Sequence, residues 1–372
     1  MATYIYDRDG WRAFAWDEAV IAARLAAVSR RQGRLIGRME SLGFELKSEA
    51  ILTTLTDDVM KSSEIEGEQL DKDQVRSSIA RRLGLDIGAL THADRHVEGV
   101  VEMMLDATQN YAEPLNEARL FAWHSSLFPT GRSGMRTITV GSYRSDSDGP
   151  MQVVSGPVSR ERVHYEAPPA NRVAKEMSSF LTWLEGNTQT DLVLKSALAH
   201  FWFVTIHPFD DGNGRIARAI ADMLLARSEG SSQRFYSMSS QIRAERTAYY
   251  DILEATQKSE LDITRWLTWY FDCLDRAITR AENVLAGVLV KARFWDRIKT
   301  ISINDRQRAV LNRLLDGFEG KLNTSKWAKL TNVSNDTALR DIVDLIDKGI
   351  LMKEQSGGRS TSYAIAAVEA AD

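Results

Sequence analysis

His207-Pro208-Phe209-Asp210-Asp211-Gly212-Asn213-Gly214-Arg215-Ile216-Ala217-Arg218 is the stretch on which the reading of this 372-residue chain turns. Upstream, Thr190 to Ile206 is apolar nearly all round (Leu192, Leu194, Leu198, Phe201, Trp202, Val204), the pattern of a central buried helix. Downstream, Ile216, Ile220, Met223 and Leu224 recur at helical spacing, so the stretch joins two helices. Gly212 and Gly214 permit a tight turn that points successive N–H groups into one concavity, and such a nest at a helix N-terminus binds anions. Arg215 and Arg218, three apart, project on the same side of the new helix. Two guanidinium forks above an anion nest suit a di- or triphosphate. Asp211 is a hard oxygen ligand of the kind Mg²⁺ accepts beside phosphates. His207 stands at the loop entrance, and a reference pKa of about 6.5 suits a general base near neutral pH. The plain alternative is a capped helix-loop-helix with surface arginines and a loop histidine. It fits any one of these residues but not their joint occurrence in one short stretch.

Helical periodicity dominates outward from this loop. Ile21, Leu25, Val28, Ile36, Met39 and Leu42 predict a first helix, capped near Asp17 and stopped at Gly43. A second begins about Ser48 and runs through Ile51, Leu52, Leu55, Val59 and Met60 into Lys61-Ser62-Ser63-Glu64-Ile65-Glu66-Gly67. Further helices are predicted around 94–109, 115–127 and 172–185. Residues 131–170 break the habit. They hold Gly131, Gly134, Gly141, Gly149 and Gly156, with Pro150, Pro157, Pro168 and Pro169, around the β-like pieces Thr137–Val140 and Met151–Val154. The expectation is a long excursion containing a β-hairpin, and a loop of that length usually has a function. In the last 70 residues, helices at Asp305–Leu315, Thr324–Leu330 and Asn335–Lys348 precede strand-like Ile350–Lys353, a turn at Gly357-Gly358 and Ser362–Ile365. Three helices and a two-stranded wing match the winged helix-turn-helix pattern.

Composition narrows the class. The chain has 47 Lys+Arg against 51 Asp+Glu, a net charge of −4, with 44% apolar and 26% charged residues. Collagen-like, disordered and disulfide-scaffold readings are disfavoured, as is a polyanion partner held by bulk charge. Cys273 is the single cysteine, so no intrachain disulfide can form, and its apolar surroundings predict a core position. The N-terminal MATYIYDRDG has no signal-peptide pattern, and the longest apolar run, Ala197 to Ile206, is too short to span a bilayer. A cytoplasmic protein without a membrane partner is expected.

The loop also matches every fixed position of His-x-Phe-x-Asp/Glu-Gly-Asn-Gly-Arg-x-x-Arg, and so resembles the signature of Fic-domain proteins. The resemblance implies a mainly α fold. A Fic-type helical bundle (96–285) with a β-hairpin flap (about 136–169) would follow an N-terminal helical region (1–95) and precede a winged helix-turn-helix module (300–372). It also implies protein AMPylation, the transfer of AMP from ATP to a Tyr, Thr or Ser hydroxyl of a target protein with release of pyrophosphate. Carried over by position, His207 would deprotonate that hydroxyl and Asp211 would hold Mg²⁺. Gly212, Asn213 and Gly214 would cradle the phosphates, Arg215 would neutralise the leaving pyrophosphate, and Arg218 would hold the γ-phosphate. The excursion resembles the Fic flap, with Met151, Gln152, Val153 and Val154 as the edge that aligns a target strand. Tyr165-Glu166-Ala167-Pro168-Pro169 resembles the flap's tail. Tyr249 and Tyr250, with Gln257 two turns on, stand where the family supplies adenine contacts, although aromatic pairs on a helix also serve as core.

Ser62-Ser63-Glu64-Ile65-Glu66-Gly67 fits the inhibitory motif Ser/Thr-x-x-x-Glu-Gly/Asn of autoinhibited Fic proteins, on an inhibitory helix of about 48–67. The resemblance implies that Glu66 would pair with Arg218 and occupy the γ-phosphate's place; removal of AMP by the same glutamate stays open. Taken alone, the hexad is also an ordinary exposed helix end. His92 and His96, four apart, lack a third metal ligand and read as solvated residues. Trp11, Phe14 and Trp16 read as anchors of the first helix rather than ligand contacts, and His124, His164 and His200 fall in no recognisable constellation. An alternative from another class is a DNA-binding regulator or interaction module with a nucleotide-sensing Fic domain. Its recognition helix carries Asp336, Asp341, Asp344 and Asp347 against Arg340 and Lys348, which is poor for phosphate contacts and favours protein partners. The kinase-like Doc branch departs at the second glycine, here Gly214, whereas transfer of phosphocholine from a CDP-linked donor uses the same scaffold. Self-modification and homo-oligomerisation remain open on sequence grounds.

Overall fold

The computed structural model describes residues 4–40, 44–85, 91–147, 149–156, 160, 162–186, 189–315, 318, 320–354 and 361–366. Gly43, Pro157 and the Gly357-Gly358 turn lie outside them. The chain divides into two compact units, Met1–Ala281 and Glu282–Asp372, so the predicted 1–95 region and most of the 96–285 core share one unit.

The first unit is mainly helical. Its N-terminal half has α1 (Glu18–Glu40), α2 (Phe44–Ile65), α3 (Lys72–Leu83), α4 (Arg95–Gln109) and α5 (Glu117–Leu127). Two hairpins follow, β1 (Arg132–Ser133) with β2 (Arg136–Thr137), and β3 (Gln152–Ser155) with β4 (Arg162–Glu166), both antiparallel. Then come α6 (Ala170–Glu185), α7 (Leu192–Ile206), α8 (Asn213–Glu229), α9 (Met238–Ala244), α10 (Arg246–Gln257) and α11 (Thr264–Ile298), the last running past the end of this unit. α7 is buried from Val193 to Ile206, and α8 is buried over most of its length. The two pack together as the centre of the unit, with α4 against α8 and α6 against α7. Burying α7 on nearly all sides requires it to be apolar all round, as Leu194, Leu198, Phe201 and Phe203 make it.

Asp17 caps α1, its Oδ1 accepting from Val20 N at 3.0 Å. Trp11 and Phe14 meet Trp202 and Phe201 of α7 edge to face, so they tether the chain's start to the central helix. α3 is an element for which no pattern was read. Its run is polar, but Asp71 caps it and Gly84 stops it in the left-handed region. Thr137–Val140 does not form a full strand. Ladder pairing ends at Thr137, Ile138 turns inward, and Thr139 N donates to Asp210 Oδ2 at 2.8 Å.

A buried polar cluster joins three helices. Arg234, 1% exposed, donates to Asp222 of α8 at 2.8 Å, while Gln32 of α1 donates to Glu229 at 2.6 Å and to the Tyr236 hydroxyl at 2.9 Å. Asp58 of α2 accepts from Ser237 at 2.5 Å beside it. Such charges persist in a core only when mutually satisfied. Cys273 is fully buried, and burial holds its thiol protonated well above the ordinary range.

The second unit has α12 (Asp305–Leu315), α13 (Thr324–Thr331), α14 (Asn335–Asp347) and the antiparallel pair β5 (Leu351–Lys353) and β6 (Tyr363–Ile365). Trp327, Leu311, Ile342 and Leu345 form its core. Asp341 does not face outward with its neighbours: it accepts from Arg306 at 2.9 Å and from Asn304 at 3.0 Å. Among the described residues, no helix is long and apolar enough to cross a membrane.

Candidate active site

Everything at the site hangs on the turn between α7 and α8. α7 ends at His207, which takes a left-handed φ of 52°. This conformation is uncommon for a residue with a side chain, so surrounding contacts must hold it. Arg144 supplies them. Its side chain is fully buried, Nε donates to the His207 carbonyl at 2.8 Å, and Nη2 donates to the Pro168 carbonyl. Its backbone N–H also donates to the Pro208 carbonyl at 3.0 Å. Phe209 is buried and stacks on His124 with ring centroids 4.2 Å apart. His124 Nδ1 accepts from Gly141 N at 3.2 Å, which leaves Nε2–H to donate to the Asp211 carbonyl, also at 3.2 Å. Asn213 bridges the turn with both ends of its amide, accepting from Phe209 N at 3.0 Å and donating to Phe209 O at 2.8 Å. Its side chain therefore shapes the loop, leaving its backbone to face a ligand.

His207 Nδ1 lies 3.2 Å from the Val204 carbonyl, to which it donates as a neutral imidazole, so Nε2 carries the free lone pair. Desolvation pulls its pKa down to about 4, and the positive Arg144 nearby acts in the same direction. The ring is thus neutral at pH 7, with the Nε2 lone pair free to accept a proton. Asp211 accepts from Gly212 N at 2.5 Å and from the Ser133 hydroxyl. No cluster of three or more His, Cys, Asp or Glu able to hold a metal occurs among the described residues. A single carboxylate such as Asp211 fits Mg²⁺ only in company with phosphate oxygens.

Arg215 and Arg218, each 1% exposed, stand over the first turn of α8. Arg218 donates from Nε to Ser62 Oγ at 2.9 Å, and from Nη2 to Ser62 O at 2.8 Å and Glu66 Oε1 at 2.7 Å. Arg215 lies over the Phe128 ring and donates from Nη1 to Glu68 Oε2 at 2.6 Å. Arg215 Nε and Arg218 Nη1 are buried without an acceptor. Buried donors without partners are costly, and two of them on arginines one turn apart suit a polyanionic ligand. Gly214 completes the cradle. A Cβ there would lie 2.2 Å from Glu66 Oε1 and 3.1 Å from Arg218 Nη1.

The turn opens onto a cavity of about 820 Å³ that takes in Glu66, Met151–Ser155, His207, Asp211, Asn213, Gly214, Tyr249, Tyr250 and Gln257. Tyr249 is mostly core, its hydroxyl 2.9 Å from His200 Nε2. Tyr250 donates to the Ile65 carbonyl at 3.3 Å and so touches the end of α2. The β3–β4 hairpin leans on α10 through His164 Nδ1 and Glu254, 2.5 Å apart, with Ser155 Oγ 2.6 Å from His164 Nε2. Ser62 and Glu66 reach the site from the far end of α2, about 150 residues upstream, and Gly67 follows them at a left-handed φ of 88°, a convergence no local pattern reveals. Sequence reasoning missed Arg144, Ser133, Glu68 and the roles of His124 and His96. His96 is not simply solvated, since its Nε2 lies 3.3 Å from Glu68 Oε2. The only available signal for Glu68 was a second acid beside the Glu66-Gly67 pair.

Residues 114–225 match the model of the Fic/DOC family, and residues 4–85 match that of a domain of unknown function, DUF4172. This chain carries a Fic/DOC domain. This chain is similar to a probable protein adenylyltransferase of Aquifex aeolicus, 36% identical over 61 residues, 16% of this chain and 19% of that one. It is also similar to protein adenylyltransferase Fic of Culex quinquefasciatus, 34% identical over 104 residues, 27% of this chain and 19% of that one. The matched part thus spans about a fifth of the length of these relatives. A Fic family protein from Desulfovibrio desulfuricans G20 shares the fold, with a TM-score of 0.54 at 22% identity over 93% of this chain and 95% of that one.

Proposed function

We propose that this protein transfers AMP from ATP to a hydroxyl side chain of a target protein, with Mg²⁺, and that Glu66 holds the site off. The observation that carries the reading is a neutral His207 sharing one cavity with Asp211, Asn213 and Gly214, next to two buried arginines of α8 that keep unpaired donors. His207 Nε2 would take the hydroxyl proton as that oxygen attacks the α-phosphorus. Arg215 and the first turn of α8 would stabilise the charge that builds on the departing pyrophosphate. Magnesium, held by Asp211 together with phosphate oxygens, would add charge neutralisation there. β3 pairs with β4 on one side only among the described residues, so its other edge suits an incoming target strand. Tyr250 and Gln257, at the α10 wall, would meet the base.

Glu66 supports the brake by its position. Its carboxylate fills the space beside Gly214 and neutralises Arg218, where a γ-phosphate would otherwise sit. The test is mass-spectrometric detection of AMP on protein after incubation with Mg-ATP. His207→Ala is expected to abolish labelling and Glu66→Gly to raise it; labelling retained in His207→Ala would defeat the transfer mechanism. We read the second unit as a winged helix that binds protein rather than DNA. On α14 the exposed face presents Leu339 and Val343 between Asp336 and Asp347, which suits an apolar or basic partner better than phosphates.

A further inference from the structure

Glu68 holds the second arginine as Glu66 holds the first. α2 ends at Ile65, and Gly67, with φ 88°, reverses the chain so that Glu68 N bonds back to the Ser63 carbonyl at 3.0 Å. That left-handed turn aims Glu66 and Glu68 at α8 together. Their carboxylates then meet Arg218 at 2.7 Å and Arg215 at 2.6 Å. We propose that Glu68 is a second acidic latch, and that Glu66 and Glu68 together imitate two groups of a polyphosphate chain on the paired arginines.

The proposal rests on reading the loop as a polyphosphate site. A ligand bridging both arginines must displace both carboxylates, whereas release of Glu66 alone leaves Arg215 neutralised. Glu68 is about one-third exposed, so solvent can receive it once displaced. His96 gives it a second partner: Glu68 Oε2 lies within reach of both Arg215 Nη1 and His96 Nε2. Burial opposes the Glu68 charge, but the His96 hydrogen bond and the Arg215 charge outweigh it and hold the carboxyl below its usual range. The latch is therefore ionised at neutral pH. Loss of its charge leaves Arg215 with both Nε and Nη1 available to phosphate oxygens.

The test is calorimetric titration of inorganic tripolyphosphate into the full chain as wild type, Glu68→Gln, Glu68→Asp, Glu66→Gln and the Glu66→Gln/Glu68→Gln double variant. Glu68→Gln is expected to bind about tenfold more tightly than wild type, the scale of one charge-assisted hydrogen bond. Glu68→Asp, which keeps the charge but draws it back, should fall between, and the double variant should exceed either single glutamine variant. Unchanged or weaker binding in both Glu68 variants overturns the latch and makes Glu68 a support that positions Arg215. A gain from Glu68→Gln without one from Glu66→Gln keeps this latch and removes the Glu66 brake. Absence of binding in every protein overturns the latch and the polyphosphate reading together.

Discussion

His207 is held by a residue that no motif contains. Arg144 clamps the histidine's carbonyl and the Pro168 carbonyl while fully buried, so one guanidinium fixes both the turn at His207 and the chain after β4. Arg144→Ala removes those bonds and leaves buried carbonyls unpaired. A loss of about 3 kcal/mol of stability is expected, with a larger proportional fall in kcat than in ATP binding, measurable by thermal unfolding and initial rates. The loop residues were legible because the chemistry of His207, Asp211, Gly214, Arg215 and Arg218 is compressed into one turn and needs no tertiary knowledge. Arg144, His124 and Glu68 were not, because each reaches the turn from 60 or more residues away. Asn213 was legible as a loop residue, but its grip on the Phe209 backbone belongs to the folded turn.

Between elements, α4 and α5 approach so closely that Gly99 has no room for a side chain. A Cβ there would lie 1.7 Å from the Ser126 carbonyl oxygen. Gly99→Ala is therefore expected to cost about 3 kcal/mol or more by forcing the helices apart. A denaturant midpoint unchanged from wild type would contradict that packing. The helices of the second unit were legible almost to the residue, since Asn323 and Ser334 cap α13 and α14 before clean apolar stripes. α3 went unread because its apolar positions are few, although Asp71 and Gly84 mark both ends. The β-like run Thr137–Val140 misled for a different reason: local alternation cannot reveal that Thr139 is drawn away to Asp210. For α14, the account expects no affinity for duplex DNA that falls steeply with added salt, because the exposed acids repel phosphates. Steep salt-dependent binding in an anisotropy titration would reinstate a regulator.

Across the first unit, three histidines are held neutral by burial. The pKa of His124 and of His207 is pulled down to about 4, and that of His200 to about 3. In the unfolded chain each titrates near 6.5, so between those values the unfolded state binds more protons than the native state. Their contribution favours folding at neutral pH and is lost progressively as pH falls from about 6.5 toward 4. His96, raised by its bond to Glu68, works the other way, but it is one partly exposed group against three. The unfolding temperature is expected to drop clearly between pH 7 and pH 5; a rise over that interval would contradict the buried neutral imidazoles. The opening loop predicted a nucleotide site without a basic surface, and the two arginines buried over that loop agree with a net charge of −4.

The central claim is that one cavity both transfers AMP and is closed by Glu66. Its most direct test is the initial rate of AMP incorporation into protein, read by intact mass, for wild type, Glu66→Gly and Glu66→Gly/His207→Ala with Mg-ATP. The account predicts a rate in Glu66→Gly at least about tenfold above wild type, and none in the double variant. Equal rates in wild type and Glu66→Gly, or AMP transfer surviving the loss of His207, would contradict it.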